Sequence, residues 1–135
     1  MTPFLSILLS ITALQSSCCR QSFSYPVIAD VTRIEVVADN SVKVKEINDP
    51  SRIDSIIRFI DDRRSRWCSP SFSVPAASAT LNLHMSKGSQ SRFGMGNGFL
   101  VDELSGSEYL LRISPDEQQA LFKLLDIDED HFFNK

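Results

Sequence analysis

Cys68 and His84 are the side chains in this 135-residue chain with the most reactive chemistry to offer. A thiol and an imidazole make a nucleophile and its base when a fold sets them in one cleft, beside an orienting group and donors for an oxyanion. Their local settings point to quieter roles. Cys68 follows Trp67 at a helix exit, where a small buried thiol is common. His84 falls on the polar side of an alternating segment, Thr80 to Met85. No C-x-x-C pair occurs among Cys18, Cys19 and Cys68, which excludes a zinc ribbon or a thioredoxin-type site, and three cysteines are no disulfide framework. A thiol-dependent hydrolase using Cys68 and His84 is the enzymatic alternative; the main reading assigns no catalytic residue, no cofactor and no metal.

Other motifs resolve the same way. Gly94-Met95-Gly96-Asn97-Gly98 lacks the spacing of a phosphate loop and opens a strand instead of a helix, so it reads as a hairpin tip. Asp126-Ile127-Asp128-Glu129-Asp130 imitates the start of a calcium loop, but His131 stands where the sharp turn needs glycine, which leaves a solvated acidic tail. Arg63, Arg64, Arg66 and Trp67 form a basic cluster suited to anionic lipid or wall polymer. A helix C-terminus explains it as well, because cations there meet the negative end of the dipole.

The net charge of −3 gives no electrostatic footprint for nucleic acid. Export is written at the N-terminus. Residues 1–19 carry an uncharged apolar run from Phe4 to Leu14, about the length of a signal-peptide core and too short to span a bilayer. Small residues follow, then Arg20. The string Leu14-Gln15-Ser16-Ser17-Cys18 resembles the lipobox of bacterial lipoproteins, whose cysteine becomes diacylated. That family places an aliphatic residue three before the cysteine; here Gln15 holds the place for Cys18 and Ser16 for Cys19. The resemblance implies Cys18 or Cys19 as a lipid anchor in the periplasm or outer envelope; plain secretion is the alternative.

Beyond the leader, residues 20–30 read as a serine-rich tether, 31–127 as one α+β domain and 128–135 as an acidic tail. Thr32–Val37 and Val42–Ile47 alternate around Asp39-Asn40-Ser41, so they form a hairpin with Ile34, Val36, Val42 and Val44 inward. Asp49 caps a helix that starts on Pro50 and carries Ile53, Ile56, Ile57 and Ile60 on one stripe. Residues 79–113 make a four-strand meander with Asn97-Gly98 as its clearest turn. One face of that hairpin holds Phe93, Met95 and Leu100 with Asp102; the other holds Phe99 and Val101 beside Gly94 and Gly96; either can point inward. Ser114-Pro115-Asp116-Glu117 is a capping box that opens the last helix. The order ββαββββα predicts an antiparallel sheet with two helices packed on one face.

Helices on one side leave the other side of the sheet free. Arg33, Lys43, Lys45, Thr80, Asn82 and His84 fall there, joined by Arg92 and Arg112, as a polar and cationic surface. The main functional reading is therefore a non-enzymatic, exported interaction module of the bacterial envelope. Its partner is a protein or an envelope component, with membrane contact through an N-terminal lipid. A structural or assembly component of the envelope is the further alternative.

Overall fold

The computed structural model describes residues 19–70, 74, 76–103 and 109–133. Residues 1–18, on which the expected leader and the lipidation candidate Cys18 fall, lie outside them, and Cys19 is described only in its backbone. Among the described residues the strands are β1 Cys19–Phe23, β2 Val31–Ala38, β3 Lys43–Ile47, β4 Trp67–Pro70, β5 Ala79–Met85, β6 Gln90–Gly96, β7 Phe99–Asp102 and β8 Leu110–Arg112. The helices are α1 Pro50–Asp61, α2 Pro115–Leu125 and the short α3 Glu129–Phe133. One antiparallel sheet runs in the order β1-β4-β8-β7-β6-β5-β2-β3. α1 and α2 pack on one face of it, in the α+β arrangement expected.

Both helices form where their end signals stand. The Asp49 side chain accepts from the Ser51 amide, and Pro50 opens α1. Ile53, Ile56, Phe59 and Ile60 then bury against the sheet. At α2 the reciprocal capping box is complete: the Glu117 amide donates to Ser114 Oγ at 3.2 Å, and the Ser114 amide donates to Glu117 Oε1 at 3.0 Å. Leu121, Phe122 and Leu125 join Ile34, Val36, Leu81, Leu83, Phe93, Met95, Leu100 and Leu111 in a continuous core. Burial of each such side chain is worth about 1.5–3 kcal/mol. This core holds the two layers together.

β1 and β4 add to the strands expected. They pair with each other at one edge, Phe23 opposite Trp67 and Ser22 opposite Cys68. So the segment 20–30, read as a tether, supplies an edge strand, and beyond it Ile28 is buried and Tyr25 packs on the core. Main-chain hydrogen bonds build an edge strand, and a serine-rich composition does not oppose them. The acidic tail likewise holds α3, whose Phe132 and Phe133 rest on Phe122 at ring distances of 6.1 and 5.4 Å.

The β2–β3 hairpin departs from simple alternation. Its ladder slips between Val36 and Val37, placing Val36 opposite Lys45 and Val37 opposite Lys43. Ile47, buried opposite Ile34, sets the phase of β3, so alternation turns Val44 outward, and Val42 precedes the strand. Val42 and Val44, expected inward, are 53% and 38% exposed.

The open question of the Asn97-Gly98 hairpin is settled by side chains absent from one face. Phe93, Met95, Leu100 and Asp102 point to the core, and Phe99 lies opposite Gly96 on the other side. A Cβ on Gly96 would stand 2.0 Å from Phe99 Cζ, so the ring rests directly on bare backbone. Val74 closes over Phe99, Val101 and Leu110 to make a second, smaller apolar cluster.

Candidate binding face

The face of the sheet away from the helices divides in two. Val74, Phe99, Val101 and Leu110 cover one half. The other half, on β2, β5 and β6, has no helix over it among the described residues and carries polar residues in rows. Arg33 lies opposite His84, Glu35 opposite Asn82 and Val37 opposite Thr80. One strand further, Asn82 faces Arg92, Thr80 faces Gly94 and His84 faces Gln90. Arg33, Asn82 and His84 thus meet on one surface as the alternation of β2 and β5 requires.

The surface is organised by contacts among its own groups. Arg33 Nε lies 3.3 Å from Glu35 Oε1, and Arg33 Nη1 lies 3.7 Å from Glu46 Oε1. Lys43 Nζ is 3.7 Å from Glu46 Oε2. His84 Nε2 approaches Glu35 Oε1 at 2.7 Å, but the ring nitrogen is not aligned on that oxygen as a hydrogen bond requires. It is an ion pair only when the imidazole is protonated. Arg92 Nε donates to Asn82 Oδ1 at 3.1 Å. The expected cationic patch is therefore a mixed-charge lattice. Glu35 and Glu46 complete it. Alternation already turns Glu35 outward, but only the strand register shows that these carboxylates answer the cations.

Lys45 does not belong to this face. It is two residues from the inward-facing Ile47 in regular register, which sets it opposite Val36 on the helix side, where its Nζ reaches Asp126 Oδ2 at 2.7 Å. That lysine holds the exposed Asp126 carboxyl below its ordinary range, chiefly through the hydrogen bond. Arg112 sits on β8 opposite Phe99, at the far side of the sheet.

The other motifs are absorbed by the fold. β8, β7 and β6 stand between the strands of Cys68 and His84. Four strand spacings of about 4.8 Å put roughly 19 Å between them. Cys68 lies half-buried opposite Leu110, far from the imidazole. The arginine cluster closes on α2. Arg66 Nη1 and Nη2 donate to Glu117 Oε2 and Oε1 at 2.7 and 3.0 Å, a two-pronged grip, and Arg63 Nε donates to Glu117 Oε2 as well. Arg63 also lies 3.8 Å above the Phe59 ring. The Arg66 hydrogen bond is the main cause that holds the Glu117 carboxyl far below its usual range. Trp67 is fully buried, and its Nε1 has no partner among the described residues.

The glycine-rich tip docks instead of waving free. Gln118, buried on α2, accepts from the Gly98 amide and donates to Asn97 Oδ1 at 3.1 Å and to Glu129 Oε1 at 2.6 Å. No group of three or more His, Cys, Asp or Glu among the described residues is placed to hold a metal ion. Sequence reasoning missed one buried polar pair. Asp102, 5% exposed, takes the Tyr25 hydroxyl. Burial first, then the Asp102 charge and hydrogen bond, raise the Tyr25 phenol above its ordinary value of 10.0. Tyr25 packs at 4.9 Å from Trp67 and 5.5 Å from Phe93, which locks the N-terminal segment to the core.

Among the described residues no helix is long and apolar enough to cross a membrane. Comparison of the chain with protein-family models, curated proteins and solved structures finds no match.

Proposed function

We propose that this chain is a non-enzymatic interaction module of the bacterial cell envelope that contacts a protein or envelope component through the outer face of β2, β5 and β6. The leader would export it. Lipid on Cys18 or Cys19 would hold it at a membrane, with each buried CH₂ contributing about 0.8 kcal/mol. One observation carries the reading: the helices and Val74 pack on other parts of the sheet, while among the described residues this face keeps an ordered array of polar groups uncovered. Groups already fixed by neighbours lose little freedom on contact, which favours binding.

Two measurements test it. Intact mass of the protein from membrane and soluble fractions should show a chain cut near Cys18 or Cys19, with or without acyl groups. An unprocessed Met1 in the cytoplasmic fraction removes the envelope assignment. A photo-crosslinker at Asn82 should capture one discrete envelope partner in intact cells, while the same group at Asp116 on α2 should not. Equal and diffuse labelling from both positions would count against a contact face.

A further inference from the structure

Most charges on the outer face are answered at short range. Arg33, Lys43 and His84 each have Glu35 or Glu46 within 3.7 Å. Arg92 and Glu103 are different. The Glu103 amide donates to the Arg92 carbonyl at 3.1 Å, so the two are cross-strand neighbours at the end of the β6–β7 ladder. Such neighbours have Cβ atoms about 4.5–5.5 Å apart, close enough for their side chains to pair. Yet neither has an ion pair within 4.0 Å among the described residues. Each is drawn aside. Arg92 leans over β5 through its bond to Asn82. Glu103 folds over Gly94, with Oε1 only 2.6 Å from where a Cβ would stand. A side chain at Gly94 would displace that carboxylate.

Between the two lies a hollow of about 270 Å³, lined by Val37, Ser41, Thr80, Asn82, Arg92 and Glu103. It is smaller than the roughly 300–1,000 Å³ of drug-sized sites. We propose that it binds a small zwitterion of the α-amino-acid class, with the carboxylate on Arg92 and the ammonium on Glu103. The assignment rests on reading this face as a contact surface. With Nε engaged by Asn82, the two Nη groups of Arg92 remain as a fork that matches a carboxylate. An anion alone meets Glu103, and a cation alone meets Arg92. A ligand carrying both charges a few ångströms apart satisfies each of them. Thr80 and Asn82 offer further hydrogen-bonding groups, and Val37 an apolar wall.

Three probes separate the contributions by capping one charge at a time: L-alanine, its methyl ester (ammonium only) and N-acetyl-L-alanine (carboxylate only). Titrated into the ¹⁵N-labelled processed protein, L-alanine should shift the Arg92 Nε–H and Asn82 side-chain amide signals to saturation. Each half-ligand should bind about tenfold weaker or worse, the loss of one charge-assisted contact. Arg92→Gln and Glu103→Gln should each reduce L-alanine to that level with the melting temperature unchanged. N-acetyl-L-alanine binding as tightly as L-alanine, or a Glu103→Gln variant that binds L-alanine more tightly, overturns the zwitterion. So does the absence of any shift at Arg92 and Asn82. A discrete Asn82 crosslink alongside that failure would keep the contact face and remove only its small ligand.

Discussion

Replacing Glu117 by Gln isolates the charge that ties α1 to α2. Glutamine preserves the shape and can still close the capping box. What it loses is attraction to Arg63 and Arg66. Arg66 is 46% exposed, so its share is discounted to about 0.5 kcal/mol by the usual worth of exposed pairs. Arg63 is better shielded, at 21% exposed, and its bond to a charged acceptor is worth about 1–1.5 kcal/mol. The expected loss is therefore about 1.5–2 kcal/mol at neutral pH, a fall of several degrees in melting temperature. The sign of the pH dependence follows from the direction of the shift. Folding holds the Glu117 carboxyl below its ordinary 4.5. Its stabilisation is thus full above that value and is lost as pH falls beneath it. Urea unfolding of parent and variant at pH 7 and near pH 3 makes the comparison, because every other carboxylate cancels in the difference. The gap should narrow in acid and in high salt. A gap of under about 0.3 kcal/mol at pH 7, below what separates independent sites, would refute the clamp; so would a gap that acid leaves untouched.

Gly96→Ala drives a methyl into the Phe99 ring, which must swing out, at a cost of about 2–3 kcal/mol in urea unfolding. Adding Phe99→Leu should recover much of that loss, whereas a single variant as stable as the parent would show that the ring has room. Asp49→Ala removes the α1 cap and should cost about 1 kcal/mol, read as a shift in the denaturation midpoint without a change in slope. Because folding raises the Tyr25 phenol, the stability it confers is complete below pH 10.0 and declines as the solution becomes more alkaline. Ultraviolet titration should show one tyrosine ionising late, and Tyr25→Phe should remove it.

Features with local causes could be read from the residues. Asp49-Pro50 and Ser114-Pro115-Asp116-Glu117 mark helix starts because caps act over one turn. Asn97-Gly98 marks a hairpin because Gly98, at φ +86°, takes a backbone angle that other residues resist. The direction of that hairpin was hidden, since both faces carry apolar residues. Two features go with the observed direction: Phe99 resting on Gly96, and Tyr25, 77 positions before Asp102, meeting that carboxylate in the interior. β1 was hidden because its bonds are main-chain bonds to a strand distant in sequence. On the outer face of β2 and β5, alternation gathers Arg33, Asn82 and His84 as the strand register does. It misplaces Lys45 because Val42 and Val44 suggest one phase for β3 and Ile47 the opposite one, and it is Ile47 that packs inward, opposite Ile34. The Arg63–Arg66 cluster was visible as charge, but its partner on α2 was not.

The Gln118 amide joins three stretches of chain: the turn at 97–98, the second helix and the short third helix at Glu129. One neutral side chain thereby makes their motions a single event. The hairpin end cannot lift without stranding a buried carbonyl, and α3 cannot detach without stranding an N–H. These parts should open as one cooperative unit, so amide exchange at Gly98 and in α3 should slow and quicken together.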